Sequence, residues 1–132
     1  MFDIFNTTTI SALEQTLSFA QKRHELLAGN LANIDTPGYR SKDLDVGDFQ
    51  NALAESIDTH RTAINLGLPV TRDDIRSGPR AAMEQVVYHD QSDVSLEQQV
   101  SEVAKNEHMH ALAITTMRSQ FALLRAAITE RA

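Results

Sequence analysis

The chain has 132 residues, with 12 lysines and arginines against 18 aspartates and glutamates, so its formal net charge at pH 7 is −6. This length fits one domain at most, and a net-acidic chain lacks the basic face that nucleic-acid binding needs. Because the chain has no cysteine, disulfides, thiolate catalysis and cysteine-ligated metal centres are excluded.

Apolar residues make up 42% of the chain and aromatic residues only 5%, which favours a modest aliphatic core over an aromatic-lined pocket. No apolar run approaches the roughly 20 residues that span a bilayer. The segment Met1-Phe2-Asp3-Ile4-Phe5 has no cationic stretch of the kind that opens a cleavable signal peptide. We therefore expect neither a membrane-spanning helix nor a cleaved signal.

The first predicted element is a long helix within residues 1–34. Apolar positions alternate at spacings of three and four, which is the pattern of a coiled-coil seam. Ser11 and Glu14 have the spacing of a capping box, and Pro37 disfavours helix for the residue before it. The seam of this helix comprises Ile10, Leu13, Leu17, Ala20, His24, Leu27, Leu31 and Ile34.

The middle segment, residues 35–94, is predicted to be irregular and partly extended. Thr36-Pro37-Gly38-Tyr39 has the residues of a type II turn, and Asp48 is placed to cap a short helix over residues 49–57. From residue 59 to 93 no period is sustained, Gly67-Leu68-Pro69 and Ser77-Gly78-Pro79 interrupt the pattern, and only Val86-Val87-Tyr88 favours a strand. We expect a flexible loop there that partners order.

A second long helix is predicted within residues 95–132, with a capping box at Ser95 and Gln98. Its seam comprises Leu96, Val100, Val103, Glu107, His110, Ile114, Met117, Phe121, Leu124 and Ile128. So narrow a stripe buries little unless the helices pair with each other or with other chains. The prediction is a single all-α subunit whose two long terminal helices associate in a coiled-coil-like way.

The most specific stretch of the chain is the junction after the first helix. Asn30-Leu31-Ala32-Asn33, followed by Thr36-Pro37-Gly38-Tyr39, resembles the N-terminal signature of the bacterial flagellar basal-body rod and hook family. Val94-Ser95-Leu96-Glu97 and the stretch Leu123-Leu124-Arg125-Ala126-Ala127-Ile128 resemble the proximal-rod members of that family. The resemblance covers roughly residues 8–57 and 90–130, and Glu107-His108-Met109-His110 departs from the family's usual mid-helix residues.

The resemblance implies a structural subunit of the periplasmic rod of the flagellar basal body. Such subunits assemble through their N- and C-terminal helices into a helical tube. The implied partners are copies of the chain, other rod proteins, the adaptor protein of the membrane ring, and the type III export apparatus. Export would occur without a cleaved signal peptide, and neither nucleic acid nor direct membrane insertion is implied.

Three polar residues of the predicted seams, His24, Glu107 and His110, allow two alternative interpretations. Glu107 and His110 have the i, i+3 spacing of carboxylate-bridged di-iron bundles, which need two such pairs. If the helices pair antiparallel, His24 falls in about the same layer as Glu107. The group is then a metal or pH-sensitive site, or a polar pair that determines helix register, and we favour the register role.

Enzyme motifs are absent from the sequence: it has no phosphate-binding glycine loop, no His-Glu-x-x-His and no Gly-x-Ser-x-Gly. The carboxylates Asp43, Asp45, Asp73 and Asp74 are interpreted as solvated loop charge. We expect no catalysis and no cofactor. The alternatives are a stand-alone helical adaptor or export chaperone that binds one partner helix and, more remotely, a metal-dependent bundle enzyme.

Overall fold

The computed structural model describes residues 8–88 and 95–129. Its elements are α1 (Thr8–Ala32), β1 (Lys42–Leu44), α2 (Val46–Asn65), α3 (Arg72–Glu84), β2 (Val86–Tyr88) and α4 (Leu96–Thr129). The two strands form one small antiparallel sheet, with Asp43 opposite Val87. The expected all-α class with long terminal helices is confirmed.

The helix α1 is the central element, since it contacts α4, α3, β1 and α2. The rings of Phe19 and Phe49 stack with centroids 4.1 Å apart, and Leu44 and Met83 complete the buried cluster around them. Phe19 is fully buried. The core therefore lies where α1 meets the start of α2 and the end of α3.

Helices α1 and α4 run antiparallel. Asn30 near the end of α1 contacts Gln99 near the start of α4, and Ala20 further back contacts Asn106 further on. The buried residues of α4 are Gln99, Asn106 and Ala113, which follow each other at intervals of seven. The α4 side of this contact is therefore a row of polar and small residues.

The predicted seams take part in this contact only partly: Ala20 of the first seam meets Asn106, which lies outside the second seam. The role of the seams in assembly stays a prediction. Three seam residues are buried: Ile10, Ala20 and Leu27. Seven are half-buried: Leu13, Leu17, Val103, His110, Ile114, Met117 and Leu124. The other eight are exposed: His24, Leu31, Ile34, Leu96, Val100, Glu107, Phe121 and Ile128. Because Gln99 and Asn106 hydrogen-bond to α1, their row faces α1, and the predicted seam of α4 is half-buried or exposed beside it.

The expected loop is wrong over residues 59–88, because α2 continues to Asn65 and α3 occupies Arg72–Glu84, while residues 89–93 lie outside the described part of the chain. A capping box at Thr71 and Asp74 begins α3. Its residues Ile75, Pro79 and Met83 are buried at intervals of four. Burial of that face outweighs the single hydrogen bond that a proline inside a helix removes.

Two predicted helix starts are also corrected. Ser11 lies inside α1 and is buried, so it caps nothing. The N-cap of α2 is Asp45, whose carboxylate accepts a 2.9 Å hydrogen bond from the backbone N–H of Asp48. Asp48 therefore occupies the first turn of α2, where a negative charge favours the helix dipole.

Other local predictions are confirmed. Gly38 has φ +78°, and the Tyr39 N–H donates to the Thr36 carbonyl across 3.1 Å, as a type II turn requires. Ser95 accepts from the Gln98 N–H at 3.2 Å. In the described part of the chain, no helix combines the length and apolarity that crossing a membrane requires.

Candidate assembly junction

Asn30 is the centre of the junction, and its side chain is buried at the end of α1. Its amide nitrogen donates to the Lys42 carbonyl at 2.7 Å and to Gln99 Oε1 at 3.2 Å. Its amide oxygen accepts from the Lys42 N–H at 2.9 Å and from the Tyr39 hydroxyl at 3.3 Å. One side chain therefore ties α1 to β1, α4 and the turn, and it pairs with Lys42 as a neighbouring strand would.

Asn33 ends α1. Its backbone N–H and its side-chain amide both donate to the Gly29 carbonyl, at 3.2 and 2.8 Å. Thr36 then donates its hydroxyl to the Asn33 side chain at 3.4 Å. These bonds satisfy a carbonyl that the helix end would otherwise leave without an intrahelical partner.

The rest of the junction motif points outward. Leu31, Ala32, Thr36, Pro37 and Gly38 are exposed, while Tyr39 is half-buried. The motif therefore has an inner part, which holds α1 to β1 and α4, and an outer surface that is open to another chain.

Next to the junction lies an ion network that the sequence did not reveal. Arg23 donates Nε to Asp43 Oδ1 at 2.8 Å and a terminal nitrogen to Asp43 Oδ2 at 2.7 Å. The same nitrogen is 2.7 Å from Glu102 Oε2, and Lys105 Nζ is 2.7 Å from Glu102 Oε1. Asp43 is thus ion-paired and half-buried, and its interpretation as solvated loop charge is wrong.

The network alters the acidity of two of its members. Burial on its own lowers the pKa of Arg23, but hydrogen bonds and charge from Asp43 and Glu102 outweigh it, so the pKa lies above its ordinary value. Hydrogen bonds from Lys105 and then Arg23 hold the pKa of Glu102 below its ordinary value. Both groups therefore stay charged and hold α4 to α1. In the sequence, the only sign of this ion network is that Arg23 lies in α1 outside the predicted seam.

The structure places His24, Glu107 and His110 around one cavity of about 270 Å³, together with Gln21, Ala20 and Asn106. Asn106 is 2% exposed and donates to the Ala20 carbonyl at 2.8 Å, while its Oδ1 has no partner in the described part of the chain. Among residues 8–88 and 95–129, no three histidine, aspartate or glutamate side chains are grouped to hold a metal. The register role of this group stays a prediction.

The far end of α4 presents large apolar side chains to solvent. Phe121 is 42% exposed, Leu123 62% and Ile128 60%. Near the start of the same helix, Leu96 and Val100 are each more than half exposed. The outer faces of the terminal helices thus hold apolar surface that the described part of the chain leaves uncovered.

The comparisons with known proteins point to one family. A family model described as "Flagella basal body rod protein" matches residues 10–40, which hold most of α1 and the junction. A flagellar basal body rod protein FlgB of Proteus mirabilis (strain HI4320) is 38% identical over 66 residues, which are 50% of this chain and 45% of the relative. The match therefore spans less than half of that relative's length.

Two further relatives are also flagellar basal body rod proteins FlgB. The FlgB of Bacillus subtilis (strain 168) is 26% identical over 127 residues, 92% of this chain and 93% of the relative. The FlgB of Aquifex aeolicus (strain VF5) is 46% identical over 35 residues, 26% of this chain and 28% of the relative. No solved structure matches the chain. The family model thus matches the first helix and the junction motif, and over these residues the chain is similar to flagellar basal body rod proteins.

Proposed function

We propose that the chain is a structural subunit of the bacterial flagellar basal body, where it builds the proximal part of the rod. The observation that carries this proposal is the uncovered apolar surface of the terminal helices, which includes Leu31, Leu96, Val100, Phe121 and Ile128. Apolar patches of this kind mark surfaces that other chains bury. The similarity to flagellar rod proteins suggests that these chains are the other subunits of a rod.

The proposed mechanism is assembly and not catalysis. The inner bonds of Asn30 hold the angle between α1, β1 and α4, and the exposed turn at Pro37 and Gly38 meets a neighbouring subunit. The proposed partners are copies of this chain, other rod proteins, the adaptor protein of the membrane ring and the type III export apparatus. A contact between unlike faces that does not close produces a helical array, which is the symmetry of a tube.

The test is to locate the chain in its source bacterium. An epitope-tagged chain should co-purify with isolated basal bodies, and deletion of its gene should abolish swimming and leave basal bodies without a rod. A tagged chain that restores swimming serves as the control. Recovery only in a soluble complex with one export substrate, and never with basal bodies, would instead favour an adaptor or export chaperone.

A further inference from the structure

The distal segment of α4, residues 117–129, has a mixed basic and apolar face. Arg118, Phe121, Arg125 and Ile128 follow at spacings of three, four and three, so they line one side of the helix. All four are exposed. No aspartate or glutamate occurs between residues 108 and 129. This face is therefore cationic in a chain whose net charge is negative.

The outer side of α2 has the opposite character. Glu55 and Asp58 are exposed and have no ion pair in the described part of the chain, and Leu66 and Leu68 beyond them are 70% and 55% exposed. We name this surface the α2 groove, and its lining consists of Glu55, Asp58, Thr59, Thr62, Ala63, Leu66 and Leu68. Acidic residues lie at one end of it and leucines at the other.

The two surfaces match in length and in order. From Arg118 to Ile128 α4 advances about 15 Å, and α2 advances about the same distance from Glu55 to Asn65, its last residue before Leu66, at 1.5 Å per residue. A parallel arrangement places Arg118 against Glu55 and Asp58, and Ile128 against Leu66 and Leu68. An antiparallel arrangement would set Arg118 against the leucines, so charge and apolarity both favour the parallel one.

The direction of the helices within one chain suits this pairing between copies. The groove between α1 and α2 brings Thr9 to Ile64, while Phe19 stacks on Phe49, so α2 runs antiparallel to α1. Because α4 also runs antiparallel to α1, α2 and α4 are parallel. If the next copy in a helical array is related to the first mainly by translation, α4 of one copy and α2 of the next are also parallel.

We propose that the distal segment of α4 in one copy docks into the α2 groove of the next copy, with Arg118 paired to Glu55 and Asp58. The proposal rests on the function proposed above and names the contact that propagates the array. The two surfaces lie on different elements, so the contact is heterologous and leaves one of each free at the ends.

The first test uses the absence of cysteine from the chain, which makes introduced cysteines specific reporters. The full-length variants Leu66→Cys and Thr129→Cys are mixed and oxidised over a range of protein concentrations. A disulfide-linked dimer of the two variants is the expected result. The matched control replaces Thr129→Cys with Ser119→Cys, which only the antiparallel arrangement brings near Leu66. No dimer at any concentration, or equal yields from both mixtures, would overturn the proposal.

A second test reverses the charges. The double variant Glu55→Lys and Asp58→Lys should weaken docking of the α4 segment about tenfold, and Arg118→Glu on the copy that supplies α4 should restore it. Sedimentation and dimer yield measure both effects. A circular dichroism spectrum shows whether each variant is folded. If the Glu55→Lys and Asp58→Lys variant docks as well as the unchanged chain, or if Arg118→Glu does not restore docking, the assigned pairing is wrong.

The two proposals fail in different ways. If the chain is found in basal bodies but no Leu66–Thr129 cross-link forms there or in solution, the rod function stands and this contact is wrong. If the cross-link forms in solution and the chain never reaches basal bodies, the contact is real and the rod function is wrong.

Discussion

At the scale of single residues, polar side chains buried between elements determine how the terminal helices meet. Asn30 and Arg23 lie on the inner side of α1, and each bonds to both β1 and α4. Buried polar groups cost stability unless they are paired, so these contacts admit few alternative registers. The contacts of Asn30 and Arg23 therefore constrain how α1, β1 and α4 are arranged, in addition to stabilising the fold.

Glu102 gives the α1–α4 contact a dependence on pH. Because its pKa is lowered in the folded chain, its ionised form stabilises the fold above about pH 4.5, the ordinary value, and that contribution is lost as the pH falls through the lower folded value. Glu102→Gln should reduce the free energy of unfolding by roughly 1 kcal/mol at pH 7, and the difference should vanish at strongly acidic pH. Urea unfolding at several pH values measures it.

The matched control for that experiment is Glu25→Gln, because Glu25 is an exposed carboxylate on α1 without an ion pair in the described residues. Its replacement should change the free energy of unfolding little, because no ion pair among the described residues is lost. If Glu102→Gln has the same stability deficit at every pH, the ion network does not stabilise the fold through the charge of Glu102.

Gly38 is a second test at this scale, because its φ of +78° is one that only glycine and, less readily, asparagine adopt. Gly38→Val should block assembly and swimming while leaving a folded, soluble chain, at a cost of about 1–3 kcal/mol for the strained turn. Among the described residues, apart from the two neighbours of Gly38 in the chain, no atom lies within 4 Å of an added Cβ, so the effect is backbone strain and not collision. Gly38→Asn, the control, should retain most swimming; full motility of the valine variant would refute the role of the turn.

At the scale of elements, α2 and α3 form a helical pair that depends on one close approach. A Cβ added at Gly78 in α3 would lie 2.7 Å from the Oγ of Ser56 in α2. Ser56 in turn donates to the Ala52 carbonyl at 2.8 Å and is buried. Glycine at this position thus serves packing, and the proline that follows it is buried in the same helix.

The packing explanation predicts that the cost of Gly78→Ala depends on the side chain at position 56. Gly78→Ala alone should destabilise the chain by about 1–3 kcal/mol through overpacking. With Ser56→Ala also present, the penalty should largely disappear, because the nearest obstacle is gone and alanine favours helix by up to about 1 kcal/mol over glycine. A double-mutant cycle in urea measures the coupling, and additive effects would show that the two side chains do not compete for space.

At the scale of the whole molecule, burial is concentrated around α1 and declines toward the end of α4. The buried row of α4 reaches Ala113, whereas Phe121, Leu123 and Ile128 are exposed. Segments with few buried contacts open more readily than the core. The distal part of α4 is therefore the part of the described chain that gains most from a neighbouring copy.

Hydrogen exchange on the dilute chain should reveal this gradient directly. Amides in residues 19–30 of α1 and 99–113 of α4 should be the most protected, and those in residues 117–129 the least. Protection of the distal residues should rise as protein concentration rises. Uniform protection along α4 at low concentration would mean that the chain already covers its own distal segment, and would weaken the case for docking between copies.

The sequence by itself determined the elements whose cause is local. The two long helices follow from periodic apolar residues, the turn from Pro37 and Gly38, and the start of α4 from Ser95, and each needs only neighbours along the chain. The junction motif was recognisable for the same reason.

Only the tertiary structure decided which surfaces meet. Gln99 and Asn106 are buried against α1, whereas Leu96 and Val100 are exposed, because the hydrogen-bond partners of the two amides lie on α1, far away in sequence. Likewise α3 continues through Gly78 and Pro79. The burial of Ile75, Pro79 and Met83 stabilises the helix by more than the low helix propensities of glycine and proline cost. Contacts between distant residues override local preference, and no period in the sequence records them.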